Sequence, residues 1–542
     1  MSKKVLIFGL DGGTWAVFDP LIEEGYMPNL KRLKEDGVSG VLKSTIPPIT
    51  PAAWTSFQTG MNPGKHGVFS FIQFDKDKKK FSFVNSDSIM VETVFEYLSR
   101  NGFKVISINL PVTYPPKHIN GVMIGCFLTP SIKCDFIYPP HLKEIILKRF
   151  PNYTVSPVEL VYKFNPFKSK RDFEKFLNGM LAQIKEKKEL ALYLMNNHEW
   201  DMFFVQFQSL DSFQHILWPY LDRTHPLFDN TKYKQLASSY FVELDTAIGE
   251  ILECSTKTLK PGDEVLNIAL SDHGFKKMRK AFNFQRWLIE KGYLVNTTTL
   301  GIKERLISYI VRLDKYNIRK GMRFFWALRA EKKELLNSYL KASIDFTKSK
   351  VFYSPINGWG WLFLLSDQVN DKNEIIAELK NIYDEDREKV VKRIYHKEEI
   401  YNDGEGNKNL PDLVIEPADG YFFEAGGTDG RLFREIGIND KLIGDHDIDG
   451  MVIFNGKSIL TGEKKIELNI WDIAPTLVYF LGLPIPKEMD GKVHKELFIN
   501  KLENAEVKYI NIPNKTDDKL SSEKRKEEEK EIENRLRKLG YM

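Results

Sequence analysis

The sequence predicts an α/β protein built on a mostly parallel sheet with helices on both faces. Short apolar, β-branched runs alternate with longer segments of helical spacing along most of the chain. Several of these runs, such as residues 5–10 and 202–206, are apolar almost throughout, as strands covered on both faces are. Acidic or histidine residues follow several of them, at the carboxyl ends where α/β proteins place functional groups.

The elements follow in order. Residues 5–10 form a buried strand that ends in Asp11-Gly12-Gly13-Thr14. Residues 27–37 have helical spacing, and 38–44 read as the second strand. Pro51 suits the first turn of a helix over 51–58, which makes Thr50 the expected N-cap. Residues 91–101 form a helix that stops at Asn-Gly, and 104–109 the next strand. The stretch 109–116 holds too many prolines for regular structure. A long amphipathic helix spans 173–197. A strand over 202–206 runs into Asp211…His215. A helix over 240–253 precedes a strand over 264–270 that ends in Ser271-Asp272-His273-Gly274. Residues 300–342 break the pattern, being helical, basic and aromatic, notably over 319–329. They read as an insertion or cap. A solvated helix pair packed on the main domain is preferred there to a membrane-surface or anion-binding role. Strands resume at 351–353, 359–365, 410–415 and 450–454, and 470–481 is the last core helix. The tail from residue 514 is highly charged; a helix over 522–539 carries only a thin apolar stripe.

Composition narrows the function. A chain of 542 residues with 42% hydrophobic and 28% charged residues is ordinary for a globular protein. The net charge of +4 gives no bulk basic field, so nucleic-acid binding is not indicated. Three cysteines without metal spacing fit a reduced compartment, and no run is long enough for a transmembrane helix. A cytoplasmic protein is the expectation.

Alone, Thr50 is most simply a cap and Asp11-Gly12-Gly13 a tight turn. Together with Asp211, His215, Asp272, His273 and His446, they make a set of hard oxygen and imidazole ligands of the kind zinc and manganese accept. Two dications about 4 Å apart can hold the attacking and leaving oxygens of a phosphoryl displacement and activate a hydroxyl at neutral pH. Thr50 at a helix N-terminus is well seated to attack a phosphate.

This set resembles the alkaline phosphatase superfamily, and within it the type I phosphodiesterase/nucleotide pyrophosphatase branch. The resemblance runs from Val5 to about Lys492. It is carried by Leu10-Asp11-Gly-Gly, by Thr50 ten residues before Gly60 of a Thr-Gly pair, and by Pro63-Gly-Lys-His66-Gly67. It is carried further by Asp211-x-x-x-His215, the unchanged Ser271-Asp-His-Gly274, His446, and the closing Asp472-Ile-Ala-Pro-Thr476 and Leu481-Gly-Leu-Pro484. It implies a three-layer α/β/α sandwich as one catalytic domain over 1–513, with a helical insertion at about 296–345 and a charged tail over 514–542. It implies two divalent metal ions, Zn²⁺ or alternatively Mn²⁺. Asp11, Thr50, Asp272 and His273 would hold one and Asp211, His215 and His446 the other, with Thr50 as the catalytic nucleophile toward a small phosphate-ester substrate.

One departure stands out. Members of that branch carry Thr-Phe-Pro-Asn and a second Asn that contacts phosphate, whereas this chain has Thr50-Pro-Ala-Ala and Phe71 near the second position. Lys65, Asn109 and Thr113 are the substitutes considered. His66 reads as a structural histidine of its loop. Alternative expectations are a phosphoglycerate-mutase-like enzyme, a phospho-sugar or lipid head-group transferase, and a catalytically silent protein that keeps the fold. A sulfatase is disfavoured, because that chemistry needs an oxidisable Cys or Ser with a nearby Pro and Arg, and this chain has Thr50 with no Arg shortly after it.

Overall fold

The computed structural model describes residues 2–75, 80–155, 166–228, 232–295, 344–365, 369–402, 404, 410–425, 431–438, 440, 442–462, 465–499 and 501–512. The expected insertion at 296–345 lies almost wholly, and the charged tail over 514–542 wholly, outside the described residues.

The centre is a nine-stranded sheet. Its order is Ile466–Asn469, Val38–Lys43, Asp449–Asn455, Glu264–Leu270, Lys3–Leu10, Met202–Phe207, Val105–Ile108, Gly121–Ile124 and Ile137–Tyr138. The five strands from Glu264–Leu270 to Gly121–Ile124 are mutually parallel. Asp449–Asn455 and Ile137–Tyr138 run against their neighbours. The sheet is mostly parallel, as the apolar runs predict.

Alternate residues of each strand face opposite sides, and both sides are packed. Leu6, Phe8, Phe203 and Val205 point into a core shared with the helices Lys170–Asn197 and Lys232–Thr258. Val5, Ile7, Phe204 and Ile268 point into a second core shared with Thr50–Thr59, Val94–Arg100 and Ile473–Phe480. The result is an α/β/α sandwich. Local signals set the helix ends. Thr93 and Glu96 form a reciprocal capping box, and Ser169 accepts from the Asp172 amide.

The strands between residues 351 and 417 do not extend this sheet. Val351–Ile356, Trp359–Leu364, Leu413–Pro417 and Val391–His396 form a separate antiparallel sheet, joined between its first two strands by the turn Asn357-Gly358. It has its own core, with Trp361, Phe363 and Val414. A third sheet, also of four strands, centres on Gly274–Asn283, which runs straight on from His273 and pairs with Gly444–Asp447.

One local expectation is corrected. Thr50 is not the N-cap: Ile49 occupies that position with extended backbone, and Thr50 is the first helical residue of Thr50–Thr59. Its hydroxyl therefore makes no capping bond, and is left to point elsewhere.

Candidate active site

Strand register brings the acidic residues together. Lys3–Leu10 pairs with Glu264–Leu270 so that Gly9 lies opposite Leu270. Two residues further on, Asp11 and Asp272 leave the sheet at the same level. The Gly12 amide donates to Asp272 Oδ1 at 3.1 Å, with Gly12 at a φ of +69° that favours glycine. On the other side, Leu10 lies opposite Phe207, and the next element is the helix Ser209–Leu217. Asp211 and His215 sit one turn apart on that helix and so share a face. His446 arrives from a different part of the chain, on Gly444–Asp447 opposite Phe275.

All seven residues singled out in the sequence converge. His273 Nε2 lies 3.4 Å from Thr50 Oγ1, 3.4 Å from Asp272 Oδ2 and 3.7 Å from Asp11 Oδ1. Asp211 Oδ1 lies 3.1 Å from His446 Nε2 and 3.3 Å from His215 Nε2, and those two ring nitrogens are 3.1 Å apart. The rings of His273 and His446 stack at 3.5 Å, which joins the two groups. All seven side chains are buried.

The orientation of the imidazoles matters. The Nδ1 atoms of His215, His273 and His446 face the carbonyls of Gly444, Gly274 and Pro48 at 2.8, 3.0 and 2.9 Å. A carbonyl only accepts, so each Nδ1 carries the proton and each Nε2 turns a lone pair inward. Two such lone pairs 3.1 Å apart, at His215 and His446, need a cation between them.

The carboxylates tell the same story. Burial, reinforced by Asp272 and Asp211, pushes the Asp11 carboxyl well above its usual range, and burial does the same to Asp272. With no cation bound, burial would also raise Asp211, but the charge and hydrogen bonds that His215 and His446 supply once Nε2 is protonated override it and hold Asp211 low. Burial would lower His215, but Asp211 raises it overall. Burial together with His446 drives His273 well down. Asp11 Oδ1 and Asp272 Oδ2 are fully buried with no hydrogen-bond partner. Buried carboxylate oxygens without donors are costly unless a cation supplies the missing charge. The donor set, hard oxygens and imidazole Nε2 atoms, fits divalent metal ions.

Several supporting residues have no motif that marks them in the sequence. Gln206 and Trp54 donate to Asp11 Oδ2 at 2.7 and 3.3 Å. Trp54 lies one turn after Thr50, so the same helix carries the hydroxyl and orients the acid. Asn357, at the tip of a hairpin in the second sheet, has its side-chain amide 3.0 Å from His446 Nδ1, and with that nitrogen protonated the amide turns its oxygen toward the ring to accept. The Asn-Gly pair at 357–358 is a hairpin signal, but nothing in it predicts where the tip will land. Asp445 is buried beside His446, and burial raises its carboxyl.

The substitutes for the missing phosphate-binding Asn are committed elsewhere. Lys65 pairs with Asp490 at 2.6 Å, and Thr113 donates to the Leu110 carbonyl. Asn109 donates to the Gly125 carbonyl and accepts from Tyr153. His66 is structural, as expected. It contacts Ser56 Oγ at 3.0 Å and accepts from the Val68 amide, and burial takes it down to about 3.

The sequence matches the family of type I phosphodiesterases / nucleotide pyrophosphatases over residues 5–449. The chain belongs to that family. As a type I phosphodiesterase / nucleotide pyrophosphatase family member it is a metal-dependent phosphoester hydrolase. No curated relative matches it. Solved structures share its fold. Phosphonoacetate hydrolase from Sinorhizobium meliloti 1021, in complex with phosphonoacetate, superposes with a TM-score of 0.56 at 14% identity, covering 89% of this chain and 95% of that one. Murine ectonucleotide pyrophosphatase / phosphodiesterase 5 gives 0.52 at 13%, covering 92% and 100%. Its inactive form with a threonine replaced by alanine, in complex with AMP, gives 0.51 at 13%, covering 91% and 98%. Among the described residues of this family member, no helix is long and apolar enough to cross a membrane.

Proposed function

We propose that this protein hydrolyses a small phosphate ester, a phosphodiester by preference, through a covalent Thr50 intermediate at a centre of two divalent metal ions. One ion, Zn²⁺ by first preference, would be held by Asp11, Thr50, Asp272 and His273, and the other by Asp211, His215 and His446. The observation that carries this reading is the convergence of Thr50 Oγ1 and two unpartnered carboxylate oxygens on His273 Nε2. When bound, the metals would lower the pKa of the hydroxyl and neutralise charge that develops on the phosphoryl oxygens.

The chain's own residues do the rest. As the first residue of Thr50–Thr59, Thr50 presents its oxygen at a helix N-terminus, where free amides and the partial positive charge favour a phosphate. Loss of the hydroxyl proton to water lets Oγ1 form a bond to phosphorus while the bond from phosphorus to the leaving oxygen breaks, and that oxygen takes a proton back from water. Attack by water on the phosphothreonine, or nucleotidyl-threonine, then breaks the Oγ1–P bond and returns the proton to Thr50. Trp54 and Gln206 hold Asp11 in place through both steps. The inactivity of the threonine-to-alanine form of the murine neighbour is in keeping with a threonine nucleophile. The free state of Cys126, Cys134 and Cys254 is in keeping with a cytoplasmic setting.

Thr50→Ala tests the reading. The variant should lose at least about a thousandfold in kcat toward a nitrophenyl phosphodiester, with metal content by atomic emission unchanged or reduced by no more than one ion. Retained turnover would remove Thr50 as nucleophile. A panel of nitrophenyl phosphate, its diesters and nitrophenyl sulfate, assayed with Zn²⁺ and with Mn²⁺, fixes the ester class and the metal.

A further inference from the structure

A small recess lies at the same edge of the central sheet as the candidate active site. Its walls include Asn109, Thr154, Lys187, Gln206, Gln208 and Ser209. Asn109 directly follows Val105–Ile108, the strand that pairs with Met202–Phe207 on the side away from Lys3–Leu10. At about 4.8 Å per strand, this places it roughly 10 Å from Asp11. Gln206 forms the shared wall, lining the recess while it donates to Asp11 Oδ2. Ser209 lines it two residues before Asp211.

Lys187 is the one charged group among these residues. It comes from the long helix Lys170–Asn197 and donates to Asn109 Oδ1, and its ammonium lies over the Tyr153 ring, 5.5 Å from the centroid. Among the described residues it has no carboxylate within ion-pair distance. Its neighbour Glu186 instead accepts from the Thr154 amide. Lys187 therefore keeps N–H donors unspent beside a polar recess. Burial, partly offset by Glu186, lowers its amine to about 8, so the cation still dominates at pH 7. The loop that fixes Asn109 is strained. Asn109 and the β-branched Val112 both have positive φ, 58° and 61°. Such strain persists where the surroundings enforce it, often beside a ligand site.

We propose that Lys187, held by Asn109, forms an anion subsite that takes a carboxylate or phosphate group carried by the substrate beyond the scissile ester. The proposal rests on the phosphoester-hydrolase reading above and adds to it a substrate with a second negative charge. A single charge-assisted bond at a half-buried lysine gives discrimination of about 10- to 100-fold.

The test uses the full-length, metal-loaded protein and three matched 4-nitrophenyl phosphodiesters. Their second alcohol carries a carboxylate, a phosphate, or an uncharged methyl ester in the same place. Calorimetric binding is measured first and hydrolysis second. The wild type should bind a charged diester at least about tenfold more tightly than the methyl ester. Lys187→Met should abolish that difference without weakening the methyl ester, and Lys187→Arg should keep it. The better of the two charged arms names the group. Equal binding of all three esters by the wild type, or an equal loss for all three in Lys187→Met, would overturn the subsite. If the esters bind with the expected difference but are not hydrolysed, the reaction assignment fails and the subsite stands.

Discussion

Replacing Asp272 by Asn should stabilise the metal-free protein and destabilise the metal-loaded one. The substitution is isosteric and keeps the oxygen that accepts from the Gly12 amide. It removes one charge from a buried cluster. Asp11 Oδ1 and Asp272 Oδ2 lie 3.7 and 3.4 Å from the same atom, His273 Nε2, so they are no more than about 7 Å apart. Two ionised carboxylates at that distance repel by about 2 kcal/mol at an effective dielectric of 20. Because about 7 Å is the largest separation this geometry allows, that is the floor on the repulsion between two ionised groups that Asp272→Asn relieves in chelator. With metal present the sign reverses. A site filled at roughly 100 times its dissociation constant contributes about 2.7 kcal/mol, which the variant forfeits when its ligand is gone. The pH dependence follows from the raised folded-state pKa of Asp272. An acid that holds its proton more tightly when folded loses stability as pH rises above its unfolded value of 3.8 toward its raised value. In chelator the advantage of the variant is therefore small below about pH 4 and widens toward pH 7. Urea unfolding followed by tryptophan fluorescence, with zinc and with EDTA, reads both signs. A variant less stable than the wild type in both conditions would refute the cation cage.

Three further outcomes follow. Asn357→Ala should weaken metal binding about 10- to 100-fold, measured by chelator competition, because it loosens His446 from the far side of its ring. The unfolding midpoint in EDTA should barely move. His66→Ala should cost about 2 kcal/mol through the lost contacts to Ser56 and Val68, yet leave metal content intact. The wild type should also lose more stability than His66→Gln as pH falls from 6.5 toward 3. A histidine held neutral by burial contributes above its unfolded pKa, and that contribution is lost on acidification. Equal acid sensitivity of the two proteins would show that His66 is not held neutral.

The central sheet was legible because its strands are covered on both faces. Burial on both sides forces continuous apolar runs, and those at 5–10, 202–206 and 264–270 are the parallel middle of the sheet. The acidic residues that gather at the candidate site were legible for a related reason. Asp11, Asp211 and Asp272 follow those same strands closely, so reading the strands locates the acids. The strands at 351–356 and 359–364 have the same local pattern but a different partner. A strand's sequence shows that it is covered but not by what, and the second sheet was hidden for that reason. The cap position at Thr50 was missed by one residue, since proline is accepted at either of the first two helical positions.

By itself, the sequence determined the candidate ligands, their order and the family. Those depend on residue type and short-range spacing, which a linear reading preserves. Only the tertiary structure decided that Gln206, Trp54 and Asn357 brace the site, and that Lys187 faces a recess beside it. These contacts join residues up to 195 positions apart through strand register and helix packing. Such geometry arises when the sheet closes, and no local stretch of the chain encodes it.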